Sequence, residues 1–433
     1  AEVSRRIAEG LAARLLSRPT AQAPGWMVLN PCSFTRRVVL DLDNDEGPLS
    51  LTGPVKACQV EEGRLKVVAE VPPLGFAWLP RKATPGITGG ETPVSRARLR
   101  MADERCVRNE FLEAEIDPNT GGLRAIRDTK TRINRLGQRL VYNPGSLMRV
   151  KSIRTTSTGP AYGEIVAEGI LQDENEQTLA TWRQRYRAWL GRPVLDLRIE
   201  IFPQLRPQGY PWHAYYGCQF AWADERSSLL RGVNGLGYLT AHTRPESPDF
   251  LEVRHGKQST VVLTGGLPFH QRQGGRMVDL ILVPEGEIGE AFEIALALDR
   301  DYPSLTALGL ATPPVVVPVS AGPPHVGASG WLYHLDVPNL TVTSLRPGPE
   351  GSDAILARFL ECGNQHGHAE FRCVRDPARA QVINLTGEVQ MELGYSGDAV
   401  MLDLAEGELV TVRIDFSLPE EPEATEDEPM PTD

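Results

Sequence analysis

The sequence predicts a mainly β protein, and three observations carry the prediction. Its 433 residues include 41 glycines and 35 prolines, too many breakers for a helical protein and suited to short strands joined by turns. Period-two alternation recurs along the chain, most cleanly at 194–202, 278–283 and 410–416, which is the signature of strands with one buried face. Hydrophobic residues make up 41% and charged residues 23%, ordinary values for a globular chain with a sizeable core. No repeat of about 20–50 residues stands out.

Each element follows in order. Val3, Ile7, Leu11 and Leu15 recur every four residues, with Arg5, Arg6, Glu9 and Arg14 on the other face. They predict a helix within 1–20, the remnant of a helical domain whose apolar stripe expects partners upstream of Ala1. Strand patterns at 26–33, 37–42, 55–59, 64–70 and 75–80 predict a small β-sandwich over 24–82. Residues 83–104, with Pro85, Gly86, Gly89, Gly90 and Pro93, read as a linker. From 105 to 417 strand follows strand, predicting one large antiparallel supersandwich. Its opening hairpin joins 109–116 to 123–127 through Asp117-Pro-Asn-Thr-Gly-Gly. Only 286–299 offers a short helical alternative. The stretch 418–433, with seven acidic residues and four prolines, is expected to be disordered.

A net charge of −11 argues against nucleic acid as a partner, since phosphates demand a basic face. No apolar run approaches the roughly 20 residues that span a bilayer as a helix, so a membrane partner is not expected. The six cysteines form no C-x-x-C pair and read as buried free thiols; Cys362 and Cys373 have a hairpin disulfide as the alternative. Thiols without a framework lean toward a reducing, cytoplasmic setting.

Sequence motifs for catalysis are absent: no G-x-S-x-G, no P-loop, no H-E-x-x-H. Gly235 and Gly237 mark a turn between strands, not a dinucleotide site. His366-Gly-His368 has H-x-H spacing that suits a metal on a strand face, but no third ligand lies near in sequence, and a polar hairpin tip is the simpler reading. The cluster Tyr210-Pro-Trp-His-Ala-Tyr-Tyr-Gly combines rings that stack on sugars with polar tips. As a strand it places Trp212, Ala214 and Tyr216 on one face, with sandwich core as the competing role. The loop 240–250 displays His242, Arg244, Glu246, Asp249 and Phe250, chemistry apt for polyols and equally for plain surface. The loop 269–276 is similar. No catalytic residue and no metal ligand is identified. The candidate carbohydrate contacts are Trp212, His213, Tyr216, Arg244, Asp249 and Phe250.

Several segments together resemble the C-terminal half of family 38 glycoside hydrolases, the retaining α-mannosidases. Val28-Leu-Asn-Pro-Cys-Ser-Phe-Thr-Arg resembles the strand that opens that family's small β domain, and Val71-Pro-Pro-Leu-Gly-Phe the strand that closes it. Asn109-Glu-Phe-Leu-Glu-Ala-Glu-Ile-Asp-Pro-Asn-Thr-Gly-Gly-Leu is similar to the hairpin that begins its large sandwich. Leu263-Thr-Gly-Gly-Leu-Pro and Gly407-Glu-Leu-Val-Thr-Val-Arg-Ile extend the resemblance over about 1–416. It implies a galactose-mutarotase-like supersandwich and an α-mannoside contact at a domain rim. It also implies an N-terminal catalytic barrel holding zinc or another divalent metal, and no position here matches that barrel's nucleophile or ligands. The expectation is therefore the β portion of an α-mannosidase-like glycosidase, with no cofactor of its own and a separate barrel chain or a second copy as partner. A free-standing carbohydrate-binding or interaction module is the alternative.

Overall fold

A computed structural model describes residues 2–43, 47–81 and 100–417. The chain divides into two compact units, one of residues 1–331 with 362–364, the other of 332–361 with 365–433. Both are built from antiparallel sheets. Among the described residues no helix is long and apolar enough to cross a membrane. The tail expected over 418–433 and most of the linker expected over 83–104 lie outside the described residues. Residues 100–104 belong to a sandwich: Met101 and Ala102 are buried, and Met101 N–H donates to Thr158 O at 3.2 Å.

The first unit opens with the helix Glu2–Leu15. Ala8 and Ala12 are buried, and with half-buried Leu11 and Leu15 they pack on Met27, Leu29, Phe76, Trp78 and Val317. The stripe's partner is thus a sheet of this chain, and Leu11 and Leu15 are not the free docking face that an upstream or separate partner would need. Ile7, expected on the inner face, is 66% exposed, because small alanines let the helix approach along the Ala8–Ala12 line.

That sheet has four strands, in the order Val315–Val319, Gly25–Asn30, Gly75–Pro80, Ser329–Trp331. A three-stranded sheet of Arg36–Asp43, Arg64–Val71 and Val55–Glu61 completes the small sandwich. Two of its seven strands come from residues 315–331, so the boundary at 82 is corrected. Val315–Val319 is apolar on both faces and pairs with Gly25–Leu29 in register. Nothing in its residues names the sheet it joins. Asn30, from the Val28-Leu-Asn-Pro motif, is buried, and its amide donates to Phe34 O at 2.9 Å and Pro72 O at 2.8 Å. The asparagine therefore fixes the turn between the two sheets.

The large sandwich sets a nine-stranded sheet over a seven-stranded one. Their inward faces share one apolar core that includes Ile126, Trp182, Tyr186, Ile199, Tyr216, Phe220 and Leu280. Its opening hairpin pairs Leu112–Ile116 with Leu123–Asp128, and Asp117 Oδ1 accepts from the N–H groups of Asn119 and Thr120 at 2.8 and 3.0 Å. Gly121 has φ +77°, and a Cβ there would meet the Trp182 ring at 2.6 Å. The sandwich ends with the strand Ala291–Leu298. This corrects both the helical alternative at 286–299 and the single sandwich drawn to 417. The helix that does occur, Pro303–Ala311, carries proline at its start and is apolar on nearly every side, so it shows no helical period.

The second unit is a separate sandwich of a four-stranded and a five-stranded sheet. Phe359 meets Phe371 edge-on at 4.9 Å, and Tyr333 stacks on Phe371 at 5.7 Å. All six cysteines are free thiols, so the Cys362–Cys373 disulfide alternative falls away.

Candidate functional site

Residues 211–214 do not continue the strand that follows them. His213 N–H donates to Tyr210 O at 2.8 Å, closing a turn, and the strand proper is Tyr215–Ala221. Pro211 favours that turn by fixing its own φ and removing a donor. Trp212 and Tyr216 therefore do not share a face. Trp212 is half-buried and His213 exposed, and Tyr210 is 52% exposed. Asn143 braces the turn, its amide donating to His213 O at 3.0 Å.

The 240–250 loop comes to this turn. Arg272 N–H donates to Thr243 O at 2.8 Å, and Ser247 N–H to Pro268 O at 2.9 Å, so 243–247 and 268–272 run side by side. His270 is buried between them, its Nε2–H donating to Ser247 O at 2.9 Å; burial pushes its pKa down to about 4, and it stays neutral at pH 7. Arg244 is exposed and lies over the Trp212 ring at 5.0 Å and the Tyr210 ring at 5.5 Å. Its Nη1 donates to the Tyr210 hydroxyl at 3.3 Å. Phe269, 48% exposed, meets Trp212 edge-on at 6.0 Å, and His213 meets Tyr210 edge-on at 5.1 Å.

Three segments expected to act separately thus form one surface of Tyr210, Trp212, His213, Arg244 and Phe269. Tyr210 and Phe269 belong to it although neither stood among the six candidate contacts. Their signal in the sequence is an aromatic flanking proline within a polar loop.

Two candidates are corrected, and a third is found in a turn. Tyr216 is fully buried, and its hydroxyl donates to the carbonyls of Leu179 at 2.8 Å and Leu205 at 2.7 Å; burial raises its pKa. Phe250 is buried against Gly232, where a Cβ would approach its ring to 2.3 Å. Asp249 accepts the Gly235 N–H at 2.9 Å and anchors the Asn234-Gly235 turn. Tyr216 and Phe250 build the loop's footing and present nothing to a ligand, while half-buried Asp249 is engaged in the turn.

The footing is polar as well as apolar. The buried Tyr215 hydroxyl donates to Asp279 Oδ2 at 2.8 Å, and Gln219 and Gln273 donate to the same carboxylate at 2.9 and 3.0 Å. Burial first, and then the Asp279 charge, raises the Tyr215 pKa, so the phenol stays protonated as a donor. The network ties the loop 269–276 and the strand Tyr215–Ala221 to the strand Met277–Val283.

What the surface can do follows from its parts. The exposed Tyr210 and Phe269 rings can stack on the C–H face of a pyranose, while Arg244, His213 and the Tyr210 hydroxyl can hydrogen-bond to its hydroxyls. It holds no carboxylate pair for glycoside cleavage. His366 Nε2 lies 2.9 Å and His368 Nδ1 3.9 Å from Asp403 Oδ1, but among the described residues no group of three or more His, Cys, Asp or Glu is arranged to hold a metal. The described residues offer no fit for the divalent ion the family resemblance implies.

No protein-family model matches this sequence, and no curated protein matches it significantly. Solved structures do. A protein in glycosyl hydrolase family 38 from Enterococcus faecalis is similar with TM-score 0.66 and 12% identity, over 94% of this chain and 60% of that one. An α-mannosidase from Enterococcus faecalis V583 is similar with TM-score 0.66 and 12% identity, over 94% of this chain and 58% of that one. At such identity the likeness shows the fold: this chain has the architecture of the matching β region of these glycosidases and spans about 60% of their length.

Proposed function

We propose that this chain is the β region of an α-mannosidase-like glycosidase and that its Tyr210–Trp212–Arg244–Phe269 surface contacts an α-mannoside at the rim of the site. Bond cleavage is assigned to a catalytic barrel outside these 433 residues, together with the zinc or other divalent ion that barrel chemistry requires. The observation that carries the reading is the convergence of three loops on one exposed aromatic surface with an arginine laid over two of its rings. Support comes from the shared fold with the Enterococcus faecalis chains, of which this sequence spans only a part.

Calorimetric titration of an α-mannooligosaccharide into the purified chain tests the proposal. Saturable binding, weakened at least tenfold by Trp212→Ala and by Phe269→Ala, is expected. No heat with any mannoside, or binding indifferent to both substitutions, contradicts it. The same chain should leave an aryl α-mannoside intact; turnover unaffected by a chelator overturns the assignment of cleavage to a barrel.

A further inference from the structure

Within the first unit, a groove of about 600 Å³ runs between the Arg36–Asp43 strand, the end of the Pro303–Ala311 helix and the outward face of the nine-stranded sheet. It is far from ordinary in charge. Arg36, Arg37, Arg185, Arg187, Arg192 and Arg198 line it, against Asp196 and Glu293 as the only lining carboxylates. The chain as a whole carries −11, so this concentration of guanidinium groups runs against its composition.

Four of the six have hydrogen-bonded carboxylate partners. Arg37 pairs with Glu70 at 3.2 Å, Arg187 with Glu164 at 2.7 Å, Arg192 with Asp196 at 3.0 Å, and Arg198 with both Glu293 at 2.7 Å and Glu200 at 2.9 Å. Two do not. Arg36 donates to the carbonyls of Gly309 and Thr312 at 2.6 and 2.8 Å, which hold its plane but leave its charge unbalanced. Arg185 has Glu164 at 3.7 Å, a carboxylate already engaged by Arg187, and its Nε is buried without any hydrogen-bond partner.

The sheet register sharpens the point. Arg185 on Thr178–Trp189 stands directly opposite Arg198 on Val194–Pro203. Like charges in opposed cross-strand positions destabilise a sheet; Glu200 and Glu293 offset this at Arg198, whereas Arg185 has no hydrogen-bonded carboxylate. A ligand oxyanion over this pair supplies the counter-charge that Arg185 lacks and relieves its contact with Arg198. Phosphate and sulfate monoesters do so with the forked geometry that arginine matches and lysine does not. Small-molecule sites span roughly 300–1,000 Å³, so the groove has room for the molecule that bears the oxyanion.

We infer that this groove is an anion-binding site for a small molecule carrying a phosphate or sulfate monoester, held between Arg185 and Arg198 with Arg36 closing one side. It is distinct from the aromatic surface and does not depend on the function proposed for that surface.

The test is calorimetric titration of inorganic phosphate, and then of a hexose 6-phosphate, into the full chain at low ionic strength. Saturable 1:1 binding is expected for both, tighter by at least tenfold for the ester. Arg185→Gln and Arg198→Gln should each weaken it at least tenfold, and Arg185→Lys, which keeps the charge and loses the fork, should recover only part. Arg105→Gln, which removes a charge outside the groove, should leave it unchanged. Circular dichroism checks that each variant is folded; if the glutamine variants unfold, the lysine variant and loss of binding at high salt carry the test. A hexose 6-sulfate in place of the phosphate tells which oxyanion is preferred, and binding of either supports the site. The inference is overturned if the folded wild-type chain binds neither ester at millimolar concentration, or if binding survives both glutamine substitutions.

Discussion

Tyr210 and Trp212 sit on the surface, and Tyr215 and Tyr216, a few residues on, are fully buried. The two pairs have nearly the same chemistry and opposite fates. What separates them is the turn at 211–214: before it the backbone is free to point rings outward, and after it strand pleating sends Tyr216 into the sandwich core and Tyr215 to Asp279. The loop 240–250 repeats the lesson, with Arg244 exposed and Phe250 buried. An aromatic-rich stretch in a β protein is half footing and half surface, and only the turn says where one becomes the other.

The contrast predicts two classes of variant. The largest effect belongs to the footing: Phe250→Ala should cost about 3–5 kcal/mol in chemical denaturation, the range for deleting a buried ring. A loss below about 1 kcal/mol would place Phe250 outside the core. His270 gives a pH signature. Its folded pKa of about 4 lies below the ordinary 6.5, so the unfolded chain takes up the proton first. Its contribution is intact above pH 6.5 and is lost as pH falls toward 4, by on the order of 3 kcal/mol. His270→Phe should flatten the stability profile over that window relative to wild type; identical slopes would show that the imidazole is not held neutral. Tyr216→Phe should cost about 1–2 kcal/mol, since two carbonyls lose their donor. At half-buried Trp212, Trp212→Ala should cost about 1 kcal/mol, less than the footing variant Phe250→Ala, and act chiefly on ligand binding. A large loss of stability in Trp212→Ala would erase the distinction between footing and surface.

The mainly β architecture was legible because alternation and turn residues are local signals. The hairpin at 112–128 followed from Asp117 and Gly121, whose turn chemistry is written in adjacent residues. Sheet membership was not legible. Val315–Val319 closes a sandwich begun nearly 290 residues earlier, and its valines fit any sheet. The division after Trp331 leaves no mark for the same reason. At the site, residue types pointed to loops that the structure brings together, but not to which of their side chains are exposed. Tyr216 and Phe250 were read as contacts because burial depends on partners far along the chain, such as Leu179 and Gly232. Phe269 was passed over as a contact because its place beside Trp212 depends on backbone bonds between two distant loops. The arginine groove escaped for a related reason: alternation at 183–187 reads as an ordinary solvated face until the small sandwich is set across it.

A crystal structure of the chain soaked with an α-mannooligosaccharide tests the central claim most directly. The account predicts a pyranose in van der Waals contact with Trp212 and Phe269, its hydroxyls within hydrogen-bonding distance of Arg244 or His213. A sugar ordered elsewhere on the chain, with the Trp212 surface left bare, would contradict it.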